Sequence, residues 1–283
     1  MKKLLIFCSS WMYQKPVVDG WDVYCNIQED DPRFSSVSKF DARYVKAIHD
    51  VRPDFVVAVN VGCSEQAFDR MVKPKKYGTK YISWSTDSYR HAKRVLTSDI
   101  HLSSIPDATL SEEDNFVPLF FDAQYPSVPF VDRLHHLGIH CRRYDNEDNF
   151  RQRHLDDVRH AVGDKLYLKQ ENIPPLEYIS EAATFKYGLN IGTYHDGLPN
   201  FRSFEFGSLG VMPVCSDINR KVLEDLFDEH IRFYNKVDEI PGIIRTSYDE
   251  RKMVKFYRER HSFAARLSHI FKFYFDLRFE SIV

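Results

Sequence analysis

Short apolar runs bounded by polar or turn-forming positions recur along the chain and alternate with segments of helical spacing. Leu4–Cys8, Trp21–Cys25 and Phe55–Val61 read as buried strands, the third entered through the turn-forming Arg52-Pro53-Asp54. Between the last two, Phe40, Tyr44, Val45 and Ile48 share one face of a helix predicted over Ser38–Val51. A helix at Ser64–Val72 and strands at Lys80–Trp84, His101–Ile105 and Asn115–Phe121 continue the rhythm. Strands apolar on both faces and separated by helices predict a mostly parallel sheet covered on its two sides. The prolines of Tyr125-Pro126-Ser127-Val128-Pro129 interrupt regular structure, so a first domain is expected over residues 1–126.

Residues 127–283 repeat the pattern. Strands are predicted at Leu134–Cys141, Lys165–Lys169, Tyr187–Ile191, Val211–Cys215 and Ile231–Tyr234. Helices are predicted at Asn149–Val162, Leu176–Phe185, Arg220–Phe227 and from Val237. From Tyr248 to Phe279, apolar residues at three- and four-residue spacing predict one long amphipathic helix or a broken pair. The expected fold class is therefore α/β, with two Rossmann-like domains facing a cleft and a C-terminal amphipathic helix counted with the second. In open sheets of this kind ligands lie beyond the carboxyl ends of the strands.

Composition narrows the picture modestly. A chain of 283 residues with 43% hydrophobic content can bury two cores. The formal net charge of −2 argues against a polyanion-binding chain as a whole, while leaving local patches open. The 22 Phe and 16 Tyr fit a packed core or stacking surfaces. Cys8, Cys25, Cys63, Cys141 and Cys215 are odd in number, far apart and mostly set in apolar runs. They read as free thiols in a reducing, cytoplasmic setting. The initial MKKLLIFCSS suits a first strand better than a signal peptide, and no stretch is long and apolar enough to span a membrane.

The densest chemistry lies in residues 189–217, LNIGTYHDGLPNFRSFEFGSLGVMPVCSD. A strand end is followed by a polar turn, then by Asn200 as a good N-cap for a helix carrying Phe201, Arg202 and Glu205. Gly207, Ser208 and Gly210 are small enough to let that helix approach its neighbours closely. Helix N-terminal N–H groups and a guanidinium suit phosphate, and a carboxylate one turn in can accept hydrogen bonds from a sugar diol. The plainer alternative is a capped helix bearing a surface Arg–Glu pair.

Asn200-Phe201-Arg202-Ser203-Phe204-Glu205, the small-residue turn and strand after it, and Leu226-Phe227 ahead of Ile231–Tyr234 together resemble the C-terminal domain of GT-B glycosyltransferases. The nearest likeness is to the spore-maturation (CgeB-like) group, with its N-x-R-x-F-E helix. Tyr257–Arg266 is similar to that group's closing helix, and Arg52–Val57 and Trp84–Ser88 to motifs of its first half. The resemblance implies that Glu205 accepts hydrogen bonds from the donor ribose, and that Arg202 and the backbone near Asn200 and Phe201 face the diphosphate. It implies a transfer of sugar from a nucleotide-diphosphate donor to a hydroxyl acceptor, with no metal or other cofactor.

Other candidates surround this core. His195 and Asp196 sit in the turn before the helix and can reach the sugar, or are simply turn residues. Lys169 ends its strand and can neutralise phosphate charge, or is an ordinary solvated lysine. Asp87 and His91 follow the Lys80–Trp84 strand as candidates for a general base or for positioning the acceptor hydroxyl, with an N-cap as the plainer alternative for Asp87. His136 and His140 would be ~13 Å apart in a strand, too far to share one metal ion. No P-loop or G-x-G-x-x-G occurs, which disfavours kinases and dehydrogenases. The acceptor is open: glycan, protein or small molecule first, with DNA as the runner-up because residues 251–283 carry eight Lys/Arg against three acids. A non-catalytic nucleotide-sugar-binding module is the alternative of another class.

Overall fold

The computed structural model describes residues 1–8, 15–25, 46–59, 78–85, 99–104, 115–117, 121, 129–141, 150–171, 173–191, 201–217 and 220–280. The chain divides into two compact units, one of Met1–Leu119 with Phe263–Val283 and the other of Phe120–Ser262.

The first unit holds a six-stranded sheet of β1 (Lys2–Phe7), β2 (Trp21–Cys25), β3 (Phe55–Val59), β4 (Lys80–Ser85), β5 (Ile100–Ser103) and β6 (Asn115–Phe116), in the order β2-β1-β3-β4-β5-β6. Every pairing is parallel. Such a sheet must be covered on both faces, and β3 is accordingly buried at all five positions. Asp54 ties the start of β3 to its neighbour: its carboxylate and the Lys3 carbonyl exchange bonds with the Lys3 and Asp54 amides, at 2.8 and 2.9 Å. Of the helix expected over Ser38–Val51, residues 46–51 are described and are helical; the Ser64–Val72 helix lies outside the described residues. The strand expected over Asn115–Phe121 is shorter, with two residues paired to Leu102 and Ser103.

The second unit holds β7 (His135–His140), β8 (Leu166–Lys169), β9 (Phe185–Asn190), β10 (Met212–Ser216) and β11 (Arg232–Tyr234), again all parallel, in the order β11-β10-β9-β7-β8. In both sheets the second strand lies on one side of the first and the third on the other, so the strand order reverses beside the first strand. That reversal leaves a crevice at the carboxyl ends of the strands flanking it. Helices α1 (Phe150–Val162), α2 (Pro175–Ala182), α3 (Phe201–Ser208), α4 (Arg220–Phe227) and α5 (Glu250–His261) flank this sheet, and the helix expected from Val237 is a short one, Ile240–Ile243. Helix α2 stops sooner than its apolar spacing predicts. Thr184 returns its amide and its hydroxyl to the Glu181 carbonyl, and Phe185 already begins β9.

Glycines let large rings lie on backbone here. Gly138 and Gly188 are cross-strand neighbours, and a methyl group on them would fall 2.2 Å from the Phe185 ring and 2.3 Å from the Phe206 ring respectively. Helix α3 is buried from Ser203 to Gly207, between the sheet and α5. Beneath it, at the amino ends of the strands, Arg133 donates to the carbonyls of Phe185 and Leu209 at 2.6 and 2.9 Å.

The long C-terminal amphipathic pattern resolves into two helices, α5 and α6 (Phe263–Phe275), broken at Ser262, whose backbone is extended. Asp249 caps α5 by accepting from the amides of Arg251 and Lys252 at 3.0 Å. The expected division placed the whole tail with the second half. Instead α6 belongs to the first unit, where Trp21 and Phe55 pack on Phe271 with ring centroids 4.8 and 5.1 Å apart. The boundary expected at 126 lies outside the described residues.

Candidate functional site

At the carboxyl edge of the second sheet, β8, β7 and β9 end side by side on Lys169, His140 and Asn190, with the reversal of strand order between β7 and β9. Over these ends lie α2 and α3. Asn190 donates to the Ser203 hydroxyl at 2.7 Å, and that oxygen lies 3.7 Å from the Cys215 sulfur, which pins α3 to the strand ends. Burial pushes the Cys215 thiol up to about 12, so it is an inert packing group.

Arg202 and Glu205 are one turn apart on α3 and meet Tyr178 of α2. The Tyr178 hydroxyl donates to Oε2 of Glu205 at 2.6 Å, in the range of a charge-assisted bond, and also contacts the Arg202 guanidinium. Glu205 is only 6% exposed. Burial raises its pKa, against the pull of the Arg202 charge and the Tyr178 bond. Tyr178 is raised well above its ordinary value by burial and then by the neighbouring carboxylate. Burial also works against the charge on Arg202, but Tyr178 and Glu205 outweigh it and hold its pKa up. The result is a permanently cationic group and a carboxylate, both largely out of water at the strand ends.

A second cluster adjoins it. Lys169 reaches Glu181 at 2.7 Å, Glu171 at 3.2 Å and Glu177 at 3.3 Å, and its pKa is raised, first by the bond to Glu181. Tyr167 donates to the other oxygen of Glu181 at 3.0 Å. His140, 4% exposed, places Nε2 3.1 Å from that same oxygen without the alignment of a hydrogen bond. Burial lowers its pKa to about 4, so it is neutral at pH 7. Its ring packs edge-on against Tyr178 with centroids 5.3 Å apart, which joins the two clusters.

Of the residues singled out in the sequence, Arg202 and Glu205 are brought together, Phe201 opens their helix, and Lys169 lies on the adjoining strand end, held by acids of α2. His195, Asp196 and Asn200, and Asp87 and His91 of the first unit, lie outside the described residues. Tyr178, Glu181 and His140 were not foreseen as companions of this site. One signal was available: Glu177, Tyr178 and Glu181 fall at positions i, i+1 and i+4, which puts two acids and a phenol on one side of α2. Among the described residues no group of three or more His, Cys, Asp or Glu is arranged to hold a metal ion.

No family model and no curated protein matches the chain. Solved structures do. An alpha-glucosyltransferase in complex with UDP and a 13-mer DNA containing an HMU base superposes with a TM-score of 0.61 at 11% identity, over 95% of this chain and 98% of that one. The fold is of the GT-B type. An alpha-glucosyltransferase in complex with UDP-glucose and DNA containing an abasic site gives 0.58 at 10% identity, over 92% and 95%. A UDP-N-acetylglucosamine 2-epimerase gives 0.54 at 11% identity, over 100% and 99%. The GT-B architecture thus covers both units of the chain and is shared with transferases and epimerases alike.

Proposed function

We propose that the chain is a metal-independent GT-B glycosyltransferase of the cytoplasm, akin to the CgeB-like spore-maturation group, that moves a sugar from a nucleotide-diphosphate donor to a hydroxyl acceptor. The observation that carries this is the Arg202–Tyr178–Glu205 cluster at the carboxyl edge beside the strand reversal of the second unit. A guanidinium one turn from a buried carboxylate offers a cation for phosphate and an acceptor for a ribose diol at neighbouring points. Two of the similar structures were solved with UDP or UDP-glucose, which supports a nucleotide-sugar ligand.

In this reading Glu205 accepts from the ribose hydroxyls, while Arg202, the backbone around Asn200 and Phe201, and Lys169 receive the diphosphate. As the bond from the anomeric carbon to the diphosphate breaks, negative charge grows on the departing oxygen, and fixed cations in a site shielded from water stabilise it most at that moment. Asp87, His91 and His195 are the candidates for accepting the acceptor's hydroxyl proton or placing the sugar, and Asp196 for contacts to the donor.

DNA is the second acceptor reading, because both alpha-glucosyltransferases were solved with DNA and the segment 251–283 is rich in Lys and Arg. The test is a nucleotide-sugar panel followed by thermal shift and by turnover with glycan, protein and duplex-DNA acceptors. Stabilisation by a diphosphate nucleotide with acceptor-dependent release of that nucleotide is expected. No stabilisation by any nucleotide would remove the donor-site reading. Conversion of a UDP-sugar to its epimer without acceptor would replace the transferase by an epimerase, and binding without turnover by a non-catalytic module.

A further inference from the structure

We propose that Tyr178 is a positioning residue that turns Glu205 toward the donor ribose and thereby sets a preference for ribonucleotides over 2′-deoxyribonucleotides. The inference rests on the donor-site reading and goes beyond it by assigning the selectivity to a side chain from a different element.

Glu205 has two partners, and they act differently. Arg202 lies on the same helix, and its attraction alone would draw the carboxylate and the guanidinium together, leaving each less available to a ligand. Tyr178 approaches from α2, 27 residues away in sequence, and its hydroxyl holds Oε2 at 2.6 Å. With one oxygen held, rotation about the last bond of the side chain is fixed. Among the described residues Oε1 receives no hydrogen bond, so it is the oxygen left to a diol.

Tyr178 is itself held firmly. His140, sunk at the end of β7 among Tyr167 and Phe185, presents its ring to the face of Tyr178. On the next turn of α2, Glu181 is tied to Lys169 and Tyr167 of β8. The phenol therefore acts as a fixed stop rather than a mobile side chain. The difference between a diol and a single hydroxyl is one hydrogen bond to a carboxylate, which corresponds to roughly a tenfold to hundredfold difference in affinity where the acceptor is fixed. Where the acceptor can turn to Arg202 instead, that difference shrinks.

The experiment measures dissociation constants of UDP, GDP, ADP and CDP and of their 2′-deoxy counterparts for the full chain and for Tyr178→Phe. Wild type should favour the ribo form of its best ligand by at least about tenfold, and Tyr178→Phe should bring the two forms to within about threefold. A variant that is less stable to heat but keeps the wild-type ratio would show that the hydroxyl only supports the fold, and would overturn the assignment. Should the phenylalanine variant not fold, Tyr178→Leu removes the same donor, and a wild-type ratio there overturns the assignment equally. If wild type binds nucleotides but does not distinguish the two forms, the ribose role of Glu205 fails and this inference with it. If wild type binds none of the eight, the donor-site reading itself fails.

Discussion

Replacing Gly207 by alanine tests how tightly α3 is pressed into the second unit. A Cβ built there falls 2.0, 2.1 and 2.3 Å from three ring atoms of Tyr257, where ordinary contact begins near 3.4 Å, so helix and ring must separate by ~1.4 Å. The ring has no room to retreat: Tyr257 is 1% exposed and stacks on Phe227 with centroids 5.4 Å apart. Overpacking of this severity costs ~3 kcal/mol, and the better helix propensity of alanine returns ~1 kcal/mol, leaving a loss of ~2 kcal/mol. In a unit of this size that lowers the melting temperature by about 4–8 °C. The assay is thermal and urea denaturation of the full chain as Gly207→Ala, Tyr257→Leu and the double variant. The alanine should cost at least ~1 kcal/mol less once the ring is gone. Because Glu205 lies two residues upstream on the same helix, Gly207→Ala should also weaken nucleotide binding. An unchanged or higher melting temperature for the single variant, or strict additivity in the cycle, would refute the close approach of α3 to α5.

Three further outcomes follow from particular side chains. Burial holds His140 neutral down to about pH 4, against an ordinary value of 6.5, so the unfolded chain takes up this proton first. Stability owed to it is complete above about pH 6.5, falls as pH drops, and is ~3 kcal/mol lower below pH 4; His140→Gln should flatten that slope in urea titrations, and an unchanged slope would contradict it. Arg133→Ala removes donors from two buried carbonyls and should cost about 3–5 kcal/mol in chemical denaturation, with Arg133→Lys recovering only part because a single ammonium cannot span both; full recovery would count against the two-point contact. Lys169→Met leaves Glu171, Glu177 and Glu181 without their shared cation and should weaken binding of a nucleoside diphosphate by about tenfold or more, whereas unaltered affinity would remove Lys169 from the site.

Phe55–Val59, buried on both faces, leaves an unambiguous apolar run, and Trp21–Cys25, an edge strand with Trp21 and Val23 buried and Tyr24 exposed, was still legible from its β-branched and aromatic residues. So was Arg220–Phe227, whose two buried side chains, Leu223 and Phe227, sit one turn apart. Helix α2 was overrun because Phe185 suits either a helix face or a strand, and what ends the helix is a return of Thr184 to its own backbone, which spacing does not report. The break at Ser262 carries no proline or glycine, which is why one long helix and a broken pair were equally compatible with the tail. In the site, Arg202 and Glu205 could be found because they are three residues apart on one helix. For Tyr178 the spacing along α2 offers only its grouping with Glu177 and Glu181; that it and His140 lie by Glu205 arises from how α2 and β7 come together. Arg133 was invisible for the same reason: its partners are main-chain carbonyls 52 and 76 residues away.

The placement of α6 reverses the order in which the two units can be finished during synthesis. Trp21 and Phe55 are exposed on the growing chain from early on, yet the rings that cover them, Phe271, Phe275 and Phe279, emerge only after the entire second unit has been made. The second unit is contiguous and can close by itself while the first waits with an open hydrophobic face. A fragment ending near residue 119 is therefore not a domain in the thermodynamic sense, and the amino-terminal unit becomes one only when the far end of the chain returns to it.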